Sequence, residues 1–144
     1  MPRILIIDDE PLIRSMLRSI LEGNGYTVMV AADGRAGLAQ WRHAPSDLVL
    51  TDIFMPEQDG IEVILQLSRI WPQAKIIAMT GGGSRTSGLM STIAPAAVLL
   101  GAQRTLVKPF TKQALLAAIS AVLSLKGDEQ ESRARTVASL KEVL

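Results

Sequence analysis

Short apolar runs recur along this chain, each closed by a polar residue and followed by a segment with helical spacing, and that alternation constrains the fold most. Ile4-Leu5-Ile6-Ile7 is continuous and rich in β-branched residues, then meets Asp8-Asp9-Glu10. A run of this kind suits a strand buried on both faces of a parallel sheet. From Pro11, a good first-turn residue, Leu12, Met16, Leu17, Ile20 and Leu21 recur at helical spacing until Gly23-Asn24-Gly25 stops them. The pattern then repeats. Tyr26 to Ala31 reads as a strand and Asp33 as the cap of a helix running to about His43. Asp47 to Thr51 reads as a strand ending at Asp52, and Gly60 to Ile70 as a helix broken by Trp71-Pro72. Lys75 to Thr80 is a fourth strand. Leu89 to Leu100 is helix-compatible, with Pro95 in a first turn and Gly101 as the stop. Arg104 to Val107 is a fifth strand ending at Lys108-Pro109, and Thr111 caps a helix with Leu115, Leu116, Ile119, Val122 and Leu123 as its apolar stripe. Five strand–helix units predict an α/β protein: a doubly wound parallel sheet with right-handed crossovers and helices on both faces. Such sheets bind ligands beyond the strands' carboxyl ends.

A chain of 144 residues, 48% apolar, holds one full core and not two. We place one domain over residues 1–126. The stretch Asp128 to Arg135 is charged, and Val137, Leu140, Val143 and Leu144 follow at helical spacing. Residues 127–144 therefore read as a linker or a partly helical tail, with docking, homodimerisation and fraying all open. A net charge of +1 gives no general attraction to a polyanion, so direct DNA binding is not expected. The absence of cysteine excludes disulfides, thiolate nucleophiles and cysteine-based metal sites, which leaves oxygen-ligand metals. The first apolar run meets three acids at once, unlike a secretory segment, and Ile93 to Leu100 contains Pro95 and is less than half a membrane span. A cytoplasmic protein with no membrane insertion is expected.

Asp8 and Asp9 close the first strand, Asp52 the third, Thr80 the fourth and Lys108 the fifth. Singly, each has an ordinary reading: a helix cap, a loop-satisfying hydroxyl, a solvated charge. The topology brings all five to one edge. Three neighbouring carboxylates repel one another unless a cation neutralises them, and all-oxygen ligation with room for water suits Mg²⁺. A hydroxyl and an ammonium at the same spot supply what a phosphoryl group needs, and Asp52 offers a carboxylate nucleophile.

These residues stand within longer matching stretches: Ile-Leu-Ile-Ile-Asp8-Asp9-Glu10-Pro11, Leu-Val-Leu-Thr-Asp52-Ile-Phe-Met55-Pro56 with Asp59-Gly60, Met79-Thr80-Gly81, Gly101-Ala102 and Val107-Lys108-Pro109-Phe110. Over roughly residues 2 to 125 the chain resembles the CheY-like receiver domain of two-component response regulators. The resemblance implies a flavodoxin-like (βα)5 fold with strand order 2-1-3-4-5. It implies that Asp52 accepts a phosphoryl group from a sensor histidine kinase or phosphotransfer protein. Asp9, Asp52 and the main-chain carbonyl of Phe54 would bind Mg²⁺, and Asp8 would act mainly through a metal-bound water. Thr80 would be the switch hydroxyl, Lys108 would pair with the phosphoryl group, and the Lys108–Pro109 bond would be cis.

The chain also departs from the family's pattern. Thr105 stands where the family usually has an aromatic residue three positions before the lysine. Thr80 and Lys108 lie 28 positions apart, more than the family's usual spacing, and the excess falls in the Gly/Ser-rich stretch 81–88, for which a mobile loop is expected. Phe54 stands where the family tunes entry of the attacking water, so either its ring shields the acyl phosphate and slows hydrolysis or it turns away onto the surface. Gly81 leaves room for a phosphoryl donor. The Gly81-Gly82-Gly83-Ser84 run lacks the spacing of a nucleotide-binding loop, and the lone His43 is read as an exposed helix residue.

The leading expectation is a single-domain response regulator that switches a partner-binding surface, a signalling protein and not a multiple-turnover metabolic enzyme. Two alternatives stand beside it: a receiver-like module that works without phosphorylation, and a Mg²⁺-dependent phosphohydrolase with an aspartyl nucleophile. The hydrolase lacks a cap insertion and a second acid close after Asp52.

Overall fold

The computed structural model describes residues 1–53, 60–81 and 101–125. Five strands, β1 (Arg3–Ile7), β2 (Thr27–Ala31), β3 (Leu48–Asp52), β4 (Ile76–Thr80) and β5 (Arg104–Val107), pair in parallel in the order β2-β1-β3-β4-β5. Four helices are described: α1 (Pro11–Glu22), α2 (Gly34–His43), α3 (Gly60–Ile70) and α4 (Lys112–Leu123). The expected fold class and strand order are both present. The expected helix at 89–100, most of the 81–88 loop, Phe54 and the tail lie outside the described residues.

Alternating side chains of the strands feed two cores. Leu5, Ile7, Val49 and Ala78 pack with Leu38 and Trp41 of α2 and with Val63, Ile64 and Leu67 of α3. Ile4, Ile6, Leu48, Leu50, Ile77 and Met79 pack on the opposite face with Leu17 and Leu21 of α1 and Leu115, Ile119 and Val122 of α4. The central strands β3 and β4 are buried at every position, which explains why they read as continuous apolar runs.

Helix starts follow local chemistry. The Asp33 carboxylate accepts from the Ala36 N–H at 2.8 Å, and the Thr111 hydroxyl accepts from the Ala114 N–H at 3.0 Å. Glu10 makes no such cap, and Pro11 begins α1 instead. The buried arc of α1 differs by one position from the sequence expectation. Leu17 and Leu21 are buried with Ile13 and Ile20 packed beside them, whereas Leu12 is 84% exposed and Met16 47%. Ile13, Leu17 and Ile20 sit at i, i+4 and i+7, and Leu12 falls about 100° off that line.

Candidate phosphoacceptor site

The strand register sets the site. Ile7 pairs with Thr51, Asp52 with Met79, and Thr80 with Val107, so the carboxyl ends of β1, β3, β4 and β5 lie side by side. Asp8 follows β1, Asp52 ends β3, Thr80 ends β4 and Lys108 follows β5. Asp8, Asp52 and Thr80 are buried, and Asp9 is exposed.

Asp8 is anchored at every polar atom. Its N–H donates to the Ala31 carbonyl at 3.1 Å. Its Oδ1 accepts from the Glu10 N–H at 2.9 Å, and its carbonyl accepts from the Arg14 guanidinium at 2.7 Å. Its Oδ2 accepts from Lys108 Nζ at 2.8 Å, and the same ammonium lies 3.3 Å from Asp52 Oδ2. Lys108 thus bridges two buried carboxylates that otherwise repel. Burial works against its charge, yet the hydrogen bond to Asp8 and the charges of Asp52 and Asp8 outweigh burial and raise its pKa above the ordinary lysine value.

Asp52 is set by its backbone as well. The Thr51 hydroxyl donates to the Asp52 carbonyl at 3.1 Å, the Ile53 N–H donates to Met79 at 2.9 Å, and the Gly60 N–H returns to the Ile53 carbonyl at 2.7 Å. The start of α3 therefore lies against the end of β3, so close that a Cβ on Gly60 would run into the Asp52 carbonyl. The Thr80 hydroxyl faces the Leu106 carbonyl at 3.5 Å, and the Lys108 N–H donates to the Thr80 carbonyl at 2.8 Å. The Lys108–Pro109 bond is cis.

Carboxylate oxygens of Asp8, Asp9 and Glu10 lie within 4.8 Å of one another, the one such acidic group among the described residues. An all-oxygen donor set with one buried and two exposed members fits a hard divalent cation. Asp52 joins Asp8 through the Lys108 ammonium. The structure therefore brings together Asp8, Asp52, Thr80 and Lys108, with Asp9 at the rim, while Phe54 lies outside the described residues. His43 is exposed in the last turn of α2, at neither end of this network. Arg14 shapes the site without having been singled out, since an arginine one turn into a helix carries no mark of its target. Gly60, which stands in the matching stretch Asp59-Gly60, shapes it through its close approach to β3.

A family model described as the response regulator receiver domain matches residues 4–120. The chemotaxis protein CheY of Bacillus subtilis is 35% identical over 123 residues, covering 85% of this chain and 98% of that protein. The response regulator MprA of Mycobacterium avium is 35% identical over 143 residues, which is 96% of this chain and 59% of that longer protein. Among solved structures, the response regulator protein TrrA of Thermotoga maritima, in complex with Mg²⁺-BeF, is similar with a TM-score of 0.71 and 32% identity, covering 85% of this chain and 99% of that one. A receiver domain protein from Clostridium thermocellum gives a TM-score of 0.77 at 31% identity, covering 85% and 94%.

Proposed function

The chain belongs to the response regulator receiver domains of two-component signalling, and from that premise we propose that Asp52 is its phosphoacceptor, with Thr80 and Lys108 reading the phosphoryl group. The observation that carries this is the single ammonium of Lys108 held between the buried carboxylates of Asp8 and Asp52. An Asp52 carboxylate oxygen attacks phosphorus, the bond to the donor's histidine nitrogen breaks, and that nitrogen keeps the electron pair. Lys108 then exchanges its contact with Asp52 for one with a phosphoryl oxygen. The Thr80 hydroxyl leaves the Leu106 carbonyl and donates to another.

Asp9, Asp52 and the carbonyl of Phe54 are the proposed Mg²⁺ ligands, with Asp8 acting through water and the acidic group at the end of β1 supporting the assignment. The chemistry supplied by a bound Mg²⁺ is neutralisation of the carboxylates and of the entering phosphoryl charge. Because the Lys108 N–H holds the Thr80 carbonyl, displacement of Thr80 carries β5 with it. Thr105 lies on β5 opposite Ala78, so the output moves with the backbone and not with a rotating aromatic ring. The phosphorylated form gains population from a pre-existing equilibrium and presents its surface to a protein partner. Residues 1–126 form the proposed receiver, and the donor is a sensor histidine kinase or phosphotransfer protein.

Intact mass after incubation with Mg²⁺ and a small acyl phosphate tests the reading. A single phosphoryl adduct is expected, lost in Asp52→Ala and in the presence of a chelator. No adduct in the unaltered chain, or one that survives Asp52→Ala, overturns it, the first outcome in favour of a module that works without phosphorylation.

A further inference from the structure

At the opposite edge of the sheet, the amino ends of β1, β3 and β4 and the carboxyl ends of α2, α3 and α4 enclose a cleft of about 820 Å³. That volume lies within the range of small-molecule sites, roughly 300–1,000 Å³. Strands of five residues separate it by about 15 Å from the phosphoacceptor edge. Its walls include Pro2, Trp41, Trp71, Pro72 and Leu123. The chain has only two tryptophans, and both are here.

Their rings meet edge to face, centroids 4.9 Å apart at 67°. Trp71 is 44% exposed although it is the largest apolar side-chain type, and it stands where α3 ends, just before Pro72. Trp41 is 5% exposed, and its indole N–H is the one buried side-chain nitrogen or oxygen without a hydrogen-bond partner among the described residues. A buried indole donor ordinarily finds an acceptor. The open ring of Trp71 and the residue that carries the orphan donor line one cleft, and together they are complementary to a flat molecule that carries an acceptor.

The charges of the cleft define the rest of the ligand. Lys75 Nζ donates to the carbonyls of Leu123 at 3.1 Å and Leu125 at 3.5 Å, and the Asp47 carboxylate accepts from the Arg3 N–H at 2.7 Å. Both charged side chains are thus engaged with backbone, and Met1 also lines the cleft. Three helix carboxyl ends disfavour an anion, and the Lys75 ammonium disfavours a cation. We propose that this cleft binds a neutral, planar aromatic molecule whose carbonyl or ring-nitrogen acceptor takes the Trp41 N–H while its ring stacks on Trp71. Trp71 swings outward to admit it, which uncovers the enclosed Trp41 N–H.

The test uses the full ¹⁵N-labelled chain, whose two indole N–H resonances report on the cleft alone. Trp71→Ala assigns them by loss of one peak, and an exposed ring at a helix end can be removed without unfolding the domain. Titration with 2-quinolone is expected to shift both peaks saturably, the Trp41 peak downfield, with affinity falling at least ten-fold in Trp71→Ala. Naphthalene, flat but without an acceptor, is expected to give no downfield shift at Trp41. The proposal is overturned by an absence of saturable shifts up to the solubility limit of 2-quinolone. An equal downfield shift with naphthalene, or affinity undiminished in Trp71→Ala, overturns it as well.

Discussion

Replacing Lys108 by Met keeps most of the aliphatic stem and removes the ammonium, which makes it the sharpest perturbation of the site. The lysine side chain is 15% exposed and its partners Asp8 and Asp52 are 0% and 6% exposed, so solvent screens the pair little. Breaking a buried ion pair from one side costs about 3–5 kcal/mol. We expect a loss of about 4 kcal/mol at pH 7, a large share of the roughly 5–15 kcal/mol that holds a typical domain. Urea unfolding in the presence of a chelator measures it as a lower midpoint at unchanged slope. The pH dependence of the unaltered chain follows from Lys108 itself. With its pKa raised, Lys108 contributes fully below the ordinary value of 10.5 and is lost only as pH climbs through its still higher folded value. Added Mg²⁺ is expected to restore part of the variant's stability, as the proposed neutralisation of the same carboxylates requires. A loss below about 1 kcal/mol refutes the reasoning.

Substitutions at four further positions probe the site and the fold that supports it. Gly60→Ala places a methyl carbon 2.7 Å from the Ile53 Cα and against the Asp52 carbonyl; thermal unfolding is expected to show a loss of about 1–3 kcal/mol, with slower phosphorylation of Asp52. Leu17→Ala is expected to cost about 2–5 kcal/mol, while Leu12→Ala, at an 84% exposed position, stays within about 0.5 kcal/mol in chemical denaturation. Asp33→Ala removes the carboxylate that caps Ala36 and is expected to cost about 0.5–2 kcal/mol by the same assay, with Asp33→Ser recovering most of it.

What was legible in the chain follows from burial. The strands of the sheet centre are enclosed on both faces, so Leu48 to Leu50 and Ile76 to Met79 had to be apolar throughout, and the polar residues closing such runs necessarily reach one edge. Hydrophobic periodicity gave α1 but not its orientation: Leu12 and Ile13 are both apolar, and only packing against the sheet selects Ile13. Arg14 was hidden because its target is a main-chain carbonyl, which leaves no trace in side-chain chemistry. The cleft was hidden for a different reason. Trp41 lies in α2 and Trp71 thirty positions later, just past the end of α3, and only the crossovers that return both helices to the same edge bring their rings together.

The bridge made by Lys108 also orders events during synthesis. Lys108 lies 100 residues after Asp8 and 56 after Asp52, and its strand is the last added to the sheet. At roughly 5–20 residues per second, a ribosome delivers Lys108 about 3–11 s after Asp52. Through that interval the nascent chain carries both carboxylates without their ammonium, beside a sheet edge still waiting for β5. A polypeptide stalled between residues 52 and 108 therefore holds the carboxylates of Asp8 and Asp52 without the cation that joins them in the folded domain.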